Sequence, residues 1–115
     1  MAITQKRLGG PTQLTASSAI YYTVPSAIKT IVKQIILANT TASAKTVTVR
    51  LYTSGTENNT FDILSAVSIA ANETIAFNCS MVMESTETIK ALCSSATSVN
   101  IAIFGIEETA PGGGA

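Results

Sequence analysis

The chain is 115 residues long, enough for one hydrophobic core and too short for two that would each hold. Seven basic and seven acidic residues cancel to zero net charge, and charged residues make up 12%, against about 25% in ordinary soluble domains. Lys6-Arg7 is the only adjacent basic pair, so the clustered cations that a nucleic acid or an anionic membrane requires are absent, and neither is expected as a partner.

The sequence is 46% hydrophobic with a mean hydropathy of +0.36. Long charged side chains normally keep free surfaces apart. Their scarcity predicts that part of this surface is covered by further copies of the chain or by another protein. No run is apolar for long enough to span a membrane, and the stretch before Gly10 lacks the apolar centre of a secretory signal. Synthesis in the cytoplasm is therefore expected, and the Asn-x-Ser/Thr triplets at Asn39, Asn58, Asn72 and Asn78 read as chance.

In chain order, Gly9-Gly10-Pro11 sets off residues 1–11 as an N-terminal arm. Ala19–Val24 predicts a strand with Ile20, Tyr22 and Val24 on one face, stopped by Pro25, which has no N–H to donate. Ile28, Ile31, Val32, Ile35 and Ile36 follow the spacing of an amphipathic helix, yet the run is rich in β-branched residues. On the residues alone, helix and strand both stay open there. Lys45–Thr53 alternates strictly, with Val47, Val49 and Leu51 inward, and a polar loop follows from Ser54 to Asn59.

Phe61–Leu64 and Ala66–Ile69 are short apolar pieces. Ala71-Asn72-Glu73 turns into a strand at Thr74–Asn78 with Ile75 and Phe77 on one face. Thr88–Cys93 places Ile89, Ala91 and Cys93 together. In Ser98–Ile106, Val99, Ile101 and Ile103 share one face, while Ala102, Phe104 and Ile106 make the other face apolar as well. A strand apolar on both sides is expected to be covered on both sides. Pro111 and the glycines after it end the chain in a tail, residues 109–115, leaving 12–108 as the domain. Short strands at this spacing predict an all-β fold, a single antiparallel β-sandwich of jelly-roll or immunoglobulin-like topology.

Chemistry is poorly supplied. Histidine is missing, which removes the commonest general base and metal ligand. Asp62 is the sole aspartate, and pairing it with Glu73 or Glu84 follows no motif, so it reads as a turn or strand-edge carboxylate. Gly9-Gly10 lacks the lysine and helix of a phosphate loop. Cys79 and Cys93 could pair only from adjacent strands, and read as buried thiols. Tyr21, Tyr22 and Tyr52 could line a glycan site only if the fold gathered them. No catalytic residue, cofactor or metal is expected, and the chain reads as a non-enzyme.

The strand signals also come in a familiar order. Tyr22-Thr23-Val24-Pro25, an Ile/Val-rich strand ending in Asn39-Thr40, the alternating Lys45–Tyr52, the turn Ala70-Ala71-Asn72-Glu73-Thr74 and the ending Phe104-Gly105-Ile106-Glu107 are present. Together they resemble a family of small bacteriophage and prophage structural proteins, over roughly residues 12 to 108. Ser26-Ala27 stands where that family has a glycine after the proline. The resemblance implies a β-sandwich virion protein that assembles as a trimer or higher ring, and it implies a strand for the Ile28–Leu37 run.

The resulting expectation is a capsid accessory or decoration protein. Its partners would be copies of itself and other virion proteins such as the major capsid protein. A tail, baseplate or fibre-associated role and a carbohydrate- or receptor-binding module are the alternatives. The expected contact residues are Ile3, Leu8, Ala102, Phe104 and Ile106.

Overall fold

The β-branched sequence forms strands almost throughout the computed structural model, which describes residues 3–109. These are β1 (Ile3–Gln13), β2 (Ala19–Thr23), β3 (Ile28–Asn39), β4 (Lys45–Tyr52), β5 (Asp62–Ile69), β6 (Thr74–Met83), β7 (Thr88–Cys93) and β8 (Val99–Thr109). A 3-10 turn, Asn59–Phe61, precedes β5. Two four-stranded antiparallel sheets result, ordered β1-β8-β3-β6 and β2-β7-β4-β5. The pairs β1/β8, β2/β7, β3/β6 and β4/β5 are the rungs of one long hairpin, and winding it into a roll sends alternate rungs to opposite sheets. That arrangement is a jelly roll, so the immunoglobulin-like topology is not adopted. Among the described residues no helix is long and apolar enough to cross a membrane.

Between the sheets lies one core. Val32, Ile35 and Leu37 of β3, Val47 and Val49 of β4, Ile89, Ala91 and Cys93 of β7, and Val99, Ile101 and Ile103 of β8 are all buried. Strict alternation predicted the inward sides of β4, β7 and β8. Asn39 is also buried. Its Nδ2 donates to the carbonyls of Ser43, Ile69 and Ala70, and its Oδ1 accepts from the Thr41 N–H, so the amide ties two loops at one end of the sandwich.

Irregular steps explain where alternation misled. In β3 the inward residues are Thr30 and Val32, then Ile35, Leu37 and Asn39. Lys33 is an extra residue against β8, where Val32 faces Gly105 and Gln34 faces Phe104. This bulge puts buried residues three apart inside a strand, and so mimics helical spacing. Gly105 permits the close approach opposite it, because a Cβ there would fall on the Ile31 carbonyl oxygen. In β2 a similar step at Tyr21 leaves Tyr22 and Val24 inside but turns Ile20 out to 54% exposure, correcting its expected inward place. The two apolar pieces around Ser65 are one strand, β5.

The segment read as an arm is instead the edge strand β1, paired with β8 from Ile3↔Glu108 to Gln13↔Asn100. Two register shifts carry it past Gly9 and Pro11, and there it meets the other sheet. A Cβ on Gly9 would lie 2.6 Å from the Tyr21 carbonyl oxygen. β8 ends at Thr109, and the rest of the expected tail lies outside the described residues.

Candidate assembly surface

The two outward faces of the sandwich differ in chemistry. On the β2-β7-β4-β5 sheet, Arg50, Lys90 and Asp62 stand in one cross-strand row. Arg50 Nε donates to Asp62 Oδ1 at 2.7 Å and Arg50 Nη1 to Glu57 Oε2 at 2.7 Å. Lys90 Nζ reaches Glu57 Oε1 at 3.0 Å, and Ser18 Oγ donates to Glu57 Oε2 at 2.5 Å. Tyr52 packs edge-on against Phe61 at 5.3 Å, with Lys90 4.3 Å above its ring. The polar loop between β4 and β5 is thereby strapped over this face.

The physical effect on the carboxyl group is large. A hydrogen bond from Ser18, then those from Arg50 and Lys90 and the Lys90 charge, hold Glu57 at about 2 despite the opposing effect of burial. The Arg50 guanidinium is correspondingly raised by its bonds to Asp62 and Glu57. Each charge is matched by a neighbour.

The outward face of the β1-β8-β3-β6 sheet carries no such cover among the described residues. Residues directly opposite across antiparallel strands point to the same side, so the registers define its rows. Gln5, Ile106, Ile31 and Val82 form one row, and Arg7, Phe104, Gln34 and Asn78 the next. Ala102, Ile36 and Ala76 form a third. Val82 is 51% exposed, while Ile31, Ile36, Ala102, Phe104 and Ile106 are half-buried by their neighbours in the sheet. An open hollow of about 480 Å³ lies where Gln5, Lys6 and Lys33 border Phe104, Gly105 and Ile106. An apolar stripe thus runs along β8 and its neighbours, interrupted by polar residues, with Arg7 on the edge strand β1 and Lys33 on the inner strand β3. Neither cation has a carboxylate within 4 Å among the described residues.

Of the five expected contact residues, the fold gathers four. Ala102, Phe104 and Ile106 point outward along β8, and Ile3, 62% exposed, shares the face at the end of β1. Leu8 is set apart, because it falls at the β1 register shift and packs against the core. Ile31, Ile36 and Val82 complete the stripe. The first two were hidden by the helix-like spacing, and Val82 by its two flanking methionines, which masked the alternation of β6.

The tyrosines are dispersed. Tyr22 is buried, its hydroxyl 2.7 Å from Thr30 Oγ1 and donating to Glu107 Oε2 at 2.5 Å. Tyr21 accepts from the Thr15 N–H at the far end, and Tyr52 alone joins the β4–β5 loop. Asp62 is engaged by Arg50. Cys79 on β6 and Cys93 on β7 are free thiols in opposite sheets, and burial raises the Cys79 pKa. Among the described residues no three His, Cys, Asp or Glu side chains cluster as metal ligands.

No protein-family model and no curated protein matches the chain. Solved structures do. A chain of the Bacillus endospore appendages, described as disulfide-linked pili, is 18% identical with a TM-score of 0.56, covering 94% of this chain and 88% of that one. A chain of infectious bursal disease virus, Gx strain, is 8% identical with a TM-score of 0.57, covering 92% of this chain and 31% of that one. The Drosophila NLP core, described in terms of pentamer formation and histone binding, is 19% identical with a TM-score of 0.50, over 93% and 98%. At these identities the likeness is one of fold.

Proposed function

We propose that this jelly roll is a non-catalytic structural subunit of a bacteriophage or prophage particle, a capsid accessory protein that works through contacts with sister copies and with shell proteins. One observation carries the reading: the outward face of the β8 sheet bears an apolar stripe that none of the described residues covers, whereas a loop is strapped across part of the opposite face. A face of this kind gains by being covered. Repetition across a lattice then multiplies contacts that are individually weak.

Two further facts support it. The resemblance to phage structural proteins runs along the same strands, and similar folds occur in a virus and in a pilus. A glycan-binding module is less well served, because its tyrosines lie in three separate places.

The test uses emptied virions of a phage or prophage whose genome encodes this chain. The purified protein should co-sediment with them saturably and in a fixed ratio to the shell protein. A chain that stays in the supernatant at every concentration contradicts decoration of the capsid.

A further inference from the structure

We infer that the bare face meets the same face of a second copy, about a two-fold axis that runs parallel to the strands between β8 and β3. This rests on the assembly reading above and specifies its partner. Beyond the Ile106 row lies a last row in which Ile3, Glu108 and Lys29 stand side by side, with Glu84 3.8 Å from Lys29. The face therefore has apolar Ile106 and Ala102 rows on either side of the mixed Phe104 row, and a charged end, and that order restricts how it can meet itself.

An axis perpendicular to the strands reverses the rows. Centred on the Phe104 row, it sets Arg7 against Arg7 of the second copy, and neither has an acidic partner among the described residues. Centred on the Ile106 row, it presses Glu108 onto Phe104 of the second copy, which desolvates a carboxylate without compensation. An axis parallel to the strands keeps each row level and exchanges β8 with β3. Ile106 then lies over Ile31 of the second copy, Ala102 over Ile36, Arg7 over Asn78, and Glu108 over Lys29. Every pair is made twice, as an isologous contact requires. Lys33 stands on β3 beside the axis, where it borders the hollow with Phe104 and Ile106, and its Nζ is engaged by Ser80 Oγ on β6 at 3.2 Å.

The arrangement is aligned packing of two sheets, about 10 Å apart. Four strands by four rows give a plan of roughly 400 Å². That is at the low end for a specific contact, so the pair should form reversibly at about 10 μM to 1 mM and gain strength within a lattice. Two-fold pairing differs from the ring order that the phage resemblance implies.

Sedimentation equilibrium on the full chain tests this with Lys29→Glu and Glu108→Lys. Each substitution alone sets like charges opposite one another twice, and should weaken pairing on the order of tenfold or more. An equimolar mixture of the two variants restores both pairs between chains, and should dimerise about as well as the wild type. Rearrangement within one chain cannot produce that rescue. A mixture no tighter than its components, or a wild type that stays monomeric to 1 mM, overturns the two-fold. Loss of the dimer in Phe104→Glu alongside a failed rescue would leave the face in use and only the axis wrong. If a charge reversal does not fold, mixed Ile106→Cys and Ile31→Cys chains serve instead. They should cross-link to each other faster than either does to itself, and equal rates would overturn the axis.

Discussion

Tyr22 shows how single side chains hold the two sheets in register. It enters the core from β2, and its hydroxyl joins Thr30 on β3 and Glu107 on β8, while Glu107 also receives Lys6 of β1 at 3.2 Å. Burial, then the Glu107 bond, raises the phenol pKa well above its ordinary value. The hydroxyl therefore stays a donor at any physiological pH. Tyr22→Phe keeps the ring but strands the buried Thr30 hydroxyl and one carboxylate oxygen. It should cost about 1–3 kcal/mol, read as a lower urea midpoint at unchanged slope. No shift in midpoint would show that the three groups are satisfied without the phenol.

Among the elements, the irregular strands separate what could be read in advance from what could not. β4, β7 and β8 were legible because the extra residues at their register shifts fall in the partner strands β1, β2, β3 and β5, so their own inward positions recur every second residue. Single extra residues at Tyr21 and Lys33 change parity, and one such step sends Ile20 out and gives β3 a helical signature. β1 carries Gly-Gly-Pro and little alternation. Its strand character comes from the backbone groups that β8 offers, which no periodicity in its own residues announces. The outward stripe was half legible: β8 is apolar on both sides, but Ile31, Ile36 and Val82 join it only through register. Gly105→Ala tests the bulge, since the added methyl must displace the Ile31 backbone carbonyl and crowds Leu8. It should destabilise the fold by about 1–3 kcal/mol, whereas a neutral result would mean the bulge is not fixed by this approach.

The strapped β4–β5 loop makes a prediction about acid. Glu57 titrates at about 2 in the folded chain against an ordinary 4.5, so the unfolded chain binds the proton first as pH falls. Its stabilisation is complete above about 4.5 and disappears between there and about 2. Wild type should therefore exceed Glu57→Gln in urea stability at pH 6, and the gap should narrow steadily toward pH 2.5. A gap that stays constant over this range would mean that the straps do not depend on the carboxylate charge.

For the molecule as a whole, the decisive feature is the contrast, among the described residues, between a face partly covered by its own strapped loop and a face without such a cover. Winding one hairpin into a jelly roll places β8 and β3 in the middle of one sheet, with their inward residues in the core and their outward ones in the open. Light scattering on the purified chain across a concentration series, with Phe104→Glu alongside, tests directly whether that open face is for assembly. The mass of the wild type should rise with concentration, while Phe104→Glu should stay monomeric with an unchanged circular dichroism spectrum. A wild type and a variant that associate to the same extent would contradict the account.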